Sequence, residues 1–221
     1  MAGAIPVPDN LVAKLRGKFI VLDGPDGSGK TTQQGILADR LSRAGLDVLA
    51  VRDPGATAAG EAIRSILLSG RDGVLSPECE LMLFMAARAQ MVEEKIAPAL
   101  AAGRLVLSDR FVSASCAYQG ARGLDVRRIV EIGEFAVRGL WPNLTCVLDL
   151  PARAGLARTA AKKGSAALDA VERRAPAYHE RVRGLFRDLA SFYPSRVEVI
   201  DAARSVPEVT DRLIEVLAHV D

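Results

Sequence analysis

The sequence predicts an α/β fold, a five-stranded parallel sheet with helices on both faces, and two observations carry that expectation. Short apolar runs alternate with longer helical patterns, the order expected when each strand returns to the sheet through a helix. The run Gly24-Pro-Asp-Gly-Ser-Gly29-Lys30-Thr31 falls between the first apolar run and a helical pattern, the setting in which G-x-x-x-x-G-K-[ST] forms a phosphate loop.

Strands are expected at 18–23, 47–51, 104–108, 145–150 and 196–201. Four of them end in Asp or Ser, or lead straight into one, and open parallel sheets gather ligands at those carboxyl ends. Helices are expected at 29–43, 77–102, 125–138, 170–192 and 206–219. The segment RTAAKKGSAALDA, residues 158–170, is small, basic and poorly apolar. It predicts a small mobile lid at about 155–172, an ordinary surface loop being the alternative. Residues 1–17 read as a flexible N-terminal tail leading into a single domain from 18 to 221.

Composition narrows the classes. With 49% hydrophobic and 25% charged residues, the chain is ordinary for a soluble domain. A formal net charge of +2 is too small for broad nucleic-acid or membrane binding, so phosphate affinity must come from placed residues. Cys79, Cys116 and Cys146 are odd in number and widely spaced, which fits neither a disulfide framework nor a zinc site and points to the cytoplasm. The first ten residues lack the basic leader and apolar stretch of a signal peptide, and no apolar run is long enough to span a membrane.

The phosphate loop comprises Gly24, Pro25, Asp26, Gly27, Ser28, Gly29, Lys30, Thr31 and Thr32. Its glycines let successive backbone N–H groups turn onto phosphate oxygens, and the helix that follows adds its positive dipole end. Lys30 can reach the outer phosphates, and the Thr31 hydroxyl can ligate magnesium. The loop alone does not choose an activity. A GTPase reads guanine through Asn-Lys-x-Asp, and the chain has no Asn-Lys pair; LLSGRDG lacks the rest of a transporter signature. The discriminating stretch is RLVLSDRFVSASCAYQG, residues 104–120. Asp39-Arg40 and Asp211-Arg212 lie in helical patterns, whereas Asp109-Arg110 closes an apolar strand. There Asp109 can hold magnesium, directly or through water, and Arg110 can bridge two phosphates bidentately.

On these residues the chain resembles the bacterial thymidylate kinases, over nearly everything from Lys18 onward. DPGAT resembles the family's acidic-Pro-Gly-Gly-Thr loop, and Arg64 falls at its phosphate-contacting arginine. ELMLFMAARAQMVEEKIAPAL is similar to its long substrate helix, with Phe84 and Arg88 four apart on one face. The resemblance implies a P-loop kinase fold and transfer of phosphoryl from ATP to dTMP with Mg2+ as cofactor. It implies that Lys30, Arg110, Asp109 and Asp26 are catalytic, with Thr31 and Asp109 holding the metal. It further implies that Asp53, Arg64, Phe84, Arg88, Arg110, Ser115, Tyr118 and Gln119 bind the acceptor: Phe84 stacked on thymine, Arg88 on its carbonyl, Ser115 near the base edge, Tyr118 and Gln119 near the sugar. A homodimer paired through sheet-covering helices is implied as well, with no nucleic-acid or membrane partner. Taken alone, Phe84 reads as a core residue and Tyr118 as a packed aromatic with a satisfied hydroxyl. Arg88 on an apolar helix is harder to place in a core, because an unpaired buried arginine is costly.

The chain departs from the family pattern where catalytic arginines are expected. Gly27 occupies the loop position, and the lid motif reads Leu168-Asp-Ala-Val-Glu172 without its arginine. Arg158, Lys162, Lys163, Arg173 and Arg174 are the candidate replacements. Asp53 stands for the usual Glu, Ala56 for a glycine, and Ser113 where Asp is common. Two other readings stay open: a kinase for another deoxynucleoside monophosphate, and a non-catalytic nucleotide-binding relative.

Overall fold

The computed structural model describes residues 7–68, 75–163, 171–172 and 174–220. Five parallel strands, β1 (Phe19–Asp23), β2 (Val48–Arg52), β3 (Leu105–Asp109), β4 (Leu144–Asp149) and β5 (Val197–Asp201), lie in the order β2-β3-β1-β4-β5. Each falls within two residues of its sequence expectation. β1 and β3 are central and wholly buried, which is why both read as continuous apolar runs. Their side chains still divide by pleat. Phe19, Val21 and Val106 enter one hydrophobic core, while Ile20, Leu22, Leu105 and Leu107 enter the other. The register pairs Leu22 with Asp109, so the carboxyl ends of these two strands, distant in sequence, sit side by side.

Helices cover both faces: α1 (Asp9–Leu15), α2 (Lys30–Arg43), α3 (Ala58–Leu68), α4 (Pro77–Met91), α5 (Ala97–Ala101), α6 (Val112–Tyr118), α7 (Val126–Val137), α8 (Ala152–Lys163), α9 (Pro176–Arg187) and α10 (Val206–Leu217). The expected 77–102 helix runs nearly its full length, but a π-helical turn, Val92–Ile96, separates α4 from α5. Pro98 stands near the start of α5, where its missing N–H is tolerated. Ser76 caps α4 by accepting from the Cys79 N–H at 3.1 Å. α9 starts at Pro176, later than expected, because the residue before a proline resists helical geometry.

One expectation is corrected. Residues 1–17 were expected to be a flexible tail, yet Asp9–Leu15 form α1, and Leu11 and Leu15 are fully buried against the α10 side of the core. Lys14 Nζ also donates to the Ala218 carbonyl at 3.0 Å. A helix of under two turns between Pro8 and Gly17 is too short to show a period in sequence, but its two leucines lie four apart on one face. Of the expected lid, the part through residue 163 belongs to α8, and residues 164–170 lie outside the described ones. Among the described residues no helix is long and apolar enough to cross a membrane.

Candidate active site

The loop after β1 is held in shape by close backbone contact. Gly27 has φ +75°, and a Cβ there would stand 2.2 Å from the Gly155 carbonyl oxygen. A Cβ on Gly155 would meet the Asp26 carbonyl oxygen at 2.2 Å. The loop and the first turn of α8 therefore touch glycine to glycine, and no side chain fits at either position without displacement. An arginine at position 27 would meet the same backbone overlap.

Lys30 is buried beneath the loop, its Nζ donating to the carbonyls of Gly24 at 3.1 Å and Pro25 at 2.9 Å. Burial, reinforced by Arg110, pulls its pKa down, while Asp26, Asp109 and Asp23 oppose the shift. Thr31 Oγ1 donates to Asp109 Oδ2 at 2.5 Å, joining the first turn of α2 to the end of β3.

Arg110 follows β3 directly and adopts φ +77°. Its N–H donates to the Leu22 carbonyl at 3.0 Å, and its own carbonyl accepts from Ser108 Oγ at 2.6 Å. The guanidinium is bracketed: Nη1 donates to Asp23 Oδ1 at 3.1 Å and the Gly24 carbonyl at 3.3 Å; Nη2 donates to Asp26 Oδ1 at 2.6 Å and Tyr118 Oη at 3.0 Å. It lies 4.7 Å from the Tyr118 ring centroid, and Tyr118 Oη donates onward to Asp26 Oδ2 at 2.9 Å. Burial raises the Asp26 carboxyl, but Arg110, Lys30 and the Tyr118 hydroxyl outweigh it, and the net displacement is downward. Asp26 is thus held as an anion.

A second cluster lies on the acceptor side. The side chains of Arg88 and Asp53 are each 1% exposed and paired through Nε and Oδ2 at 2.6 Å. Arg88 Nη1 also reaches Met85 Sδ at 3.1 Å and Ser115 Oγ at 3.4 Å, with its guanidinium 5.5 Å from the Phe111 ring centroid. The cost of burying Arg88 is met by this ion pair, which links the helix that carries it to the loop after β2. Asp53 Oδ1 is buried and accepts no hydrogen bond among the described residues. Arg64 donates to the Pro54 carbonyl at 3.0 Å.

These groups line one cleft of about 790 Å³, within the range of small-molecule sites. Its wall takes Asp26 to Gln33 from the loop and α2, then Asp53, Arg64, Phe84, Arg88, Asp109, Arg110, Ser115, Tyr118 and Gln119. Gly24 and Pro25 stand behind that wall and serve Lys30 through their carbonyls. The far end is formed by Arg158, Thr159, Lys162, Ala202, Ser205 and Val206. Of the proposed lid cations, Arg158 lines the cleft and donates to the Ala202 carbonyl at 3.2 Å, and Lys162 lines it with an exposed side chain. Arg174 does not belong there: it donates to buried Glu80 at 3.1 Å and to Tyr178 Oη at 2.8 Å, away from the cleft wall. Arg173 and the Lys163 side chain lie outside the described residues. Cys116 is buried, with its thiol pushed up to about 12 by burial, and is inert at neutral pH.

The motif reading missed Asp23, Ser113, Thr159 and the Ala202–Val206 turn. Asp23 left a signal as an acid closing a central apolar strand, and Ser113 one as the residue standing where Asp is common, but neither was given a role; Thr159 and the 202–206 turn left none.

A parallel sheet whose two central strands deliver a phosphate loop and an Asp-Arg pair to one nucleotide-sized cleft defines a P-loop nucleotide kinase. Within that class the chain belongs to the thymidylate kinase family, whose model matches residues 22–213. It is 44% identical over 204 residues to a thymidylate kinase of Exiguobacterium sp., covering 91% of this chain and 94% of that one. It is 45% identical to a thymidylate kinase of Pseudomonas putida strain GB-1, covering 92% and 95%. The crystal structure of thymidylate kinase from Ehrlichia chaffeensis superposes with a TM-score of 0.72 at 29% identity, covering 91% of this chain and 98% of that one.

Proposed function

We propose that the protein transfers the terminal phosphoryl group of ATP to dTMP, giving dTDP and ADP, a step of dTTP synthesis. The observation that carries this reading is the single cleft joining the phosphate loop and Arg110 to the buried Asp53–Arg88 pair. A phosphate-binding end and a polar, mostly desolvated end are what a nucleoside monophosphate acceptor requires. An oxygen of the dTMP phosphate attacks the terminal phosphorus of ATP, the bond to the bridging oxygen breaks, and ADP leaves. The protein supplies position and charge rather than a covalent nucleophile. Lys30 and Arg110 neutralise the phosphates, and Asp26 and Arg64 orient the acceptor. Phe84 stacks on the base, Arg88 and Ser115 address its edge, and Tyr118 and Gln119 face the sugar.

In the absence of arginines at the loop and lid positions, Lys162 is the cation we assign to the transferring phosphate. It lines the cleft on a helix whose first turn is fixed against the loop. Its ammonium is a point charge without a guanidinium's planar fork, so its share of the catalysis is smaller than an arginine's. Arg158 with Ala202 and Val206 would take the donor's base.

The residues present fit a magnesium ion. A hydroxyl and a carboxylate, Thr31 and Asp109, are already in contact, and magnesium needs only one or two such oxygens beside substrate phosphates and water. When bound, it would offset negative charge on the phosphates.

We also propose a homodimer, supported by exposed Ile66, Met82 and Phe135 on α3, α4 and α7, helices that pack side by side. A cytoplasmic setting accords with three free cysteines.

ADP release coupled to a panel of nucleoside monophosphates, dUMP included, tests the reading. Turnover strongest with dTMP, falling at least about 10³-fold in Arg110→Ala, is expected. Preference for another acceptor would reassign the substrate, and dTMP binding without turnover would make the protein a binder.

A further inference from the structure

Two residues beside Arg110 have no role in the reaction as derived so far. Asp23 closes β1 and is fully buried. Its Oδ1 accepts from the Gly24 N–H at 2.9 Å and from Arg110 Nη1 at 3.1 Å, while Oδ2 accepts from Ser113 Oγ at 2.6 Å. Ser113, also fully buried, sits in the first turn of α6. Donors from the phosphate loop, the end of β3 and α6 therefore converge on one carboxylate and occupy both its oxygens. That convergence compensates a desolvated anion.

The two carboxylates on Arg110 are not equivalent. The side chain of Asp26 is 20% exposed and lines the cleft; that of Asp23 is 0% exposed and stands behind it. A phosphate entering the cleft can displace Asp26 and Tyr118 from Nη2. It cannot reach the Asp23 contact with Nη1. The backbone enforces the same orientation, since Arg110 holds a left-handed conformation that a bulky residue adopts only when its surroundings over-determine it.

We propose that Asp23, held in place by Ser113, is a positioning residue for Arg110: it fixes the Nη1 edge of the guanidinium so that the Nη2 edge is presented to the phosphates. The proposal rests on the phosphoryl-transfer reading of the cleft. Ser113 directs the carboxylate as well as satisfying it. With Oδ2 tied to α6, Oδ1 stays on the Arg110 side. Removing the hydroxyl leaves Asp23 one partner short and lets it rotate, so Arg110 loses its fixed edge while every cleft-wall residue remains.

The test is steady-state kinetics with ATP and dTMP on the wild type, Ser113→Ala, Ser113→Thr and Asp23→Asn, with melting temperature and dTMP-binding stoichiometry measured on each. Ser113→Ala is expected to lower kcat about tenfold, with both KM values within about twofold of wild type, because the lost interaction orients a group that acts on the transition state. Ser113→Thr restores the hydroxyl and is expected to restore kcat. Asp23→Asn is expected to lower kcat about a hundredfold, since an amide loses the charge and turns a donor towards either Arg110 or Ser113. A purely structural role would lower melting temperature and binding stoichiometry together, with kcat per folded site unchanged. That pattern, or an unaltered kcat in Ser113→Ala, would overturn the proposal. A wild type inactive with every acceptor would instead overturn the phosphoryl-transfer reading, and the positioning role with it.

Discussion

Gly27 and Gly155 meet backbone to backbone, and that contact decides more chemistry than the loop motif alone. It leaves no room for a side chain at position 27 without displacing α8, the helix that carries Arg158 and Lys162. Gly27→Ala should therefore destabilise the fold by about 2 kcal/mol, from the overlap and the positive φ together, and weaken ATP binding. Thermal melting and nucleotide titration would check it, and an unchanged melting temperature would mean the contact is slack. The cysteines give a second residue-scale expectation. Burial pushes the Cys116 and Cys146 thiols up to about 12, so at pH 8 only a minute fraction of either is thiolate, whereas Cys79 is exposed. Iodoacetamide on the folded protein should label Cys79 alone, as read by peptide mass. Labelling of Cys116 would show that α6 opens. The presence of Lys30, Asp109 and Arg110 at the site was legible in sequence, because each belongs to a local spacing with a chemical meaning. The pairing of Asp23 with Ser113 was not, although Ser113 stood out as a departure, because neither has a role until the other is beside it.

At the scale of elements, α10 begins in a capping box that borders the cleft. Ser205 Oγ and the Ser205 N–H both donate to Glu208, and Ser205 lines the far end of the site. The Ser205 hydroxyl and N–H hold the Glu208 carboxyl below its ordinary 4.5. A depressed carboxylate adds stability that is present above the unfolded value and lost as pH falls through the folded one. The difference in melting temperature between wild type and Glu208→Gln should therefore be visible at neutral pH and shrink as pH falls below about 4.5. A difference independent of pH would assign the cap to shape rather than charge. The interior strands β1, β3 and β4 were legible because buried parallel strands read as apolar runs whatever surrounds them. The helices α1, α3, α6 and α8 were not: α1 and α6 span under two turns, α8 is too alanine-rich and charged to show an apolar stripe, and α3 follows directly on the loop after β2. What makes them helices is what they pack on. α1 lays two leucines into the core, and α8 rests its glycine on the phosphate loop.

At the scale of the whole molecule, α3, α4 and α7 leave Ile66, Met82 and Phe135 in solvent, Phe135 at 88% exposure. These exposed apolar side chains on adjacent helices are the support for the proposed dimer. Phe135→Glu should convert the proposed dimer to a monomer in sedimentation velocity, without loss of the monomer fold by circular dichroism. A wild-type protein sedimenting as a monomer would refute the assembly. The order of strands works at this scale too. Because β3 lies beside β1, the Asp-Arg pair arrives next to the phosphate loop across more than eighty residues of chain, while the other two Asp-Arg pairs remain in helices α2 and α10. By itself the sequence determined the strands and the phosphate loop, since these depend on periodicity and on spacings within a few residues, while the candidate acceptor residues came from the family resemblance. The tertiary structure alone decided which cations face the cleft, that Arg174 serves Glu80 instead, and that Asp23 and Ser113 stand behind Arg110. The physical reason is that a buried charge takes its partner from whichever element the sheet brings alongside, and that partner has no fixed distance in sequence.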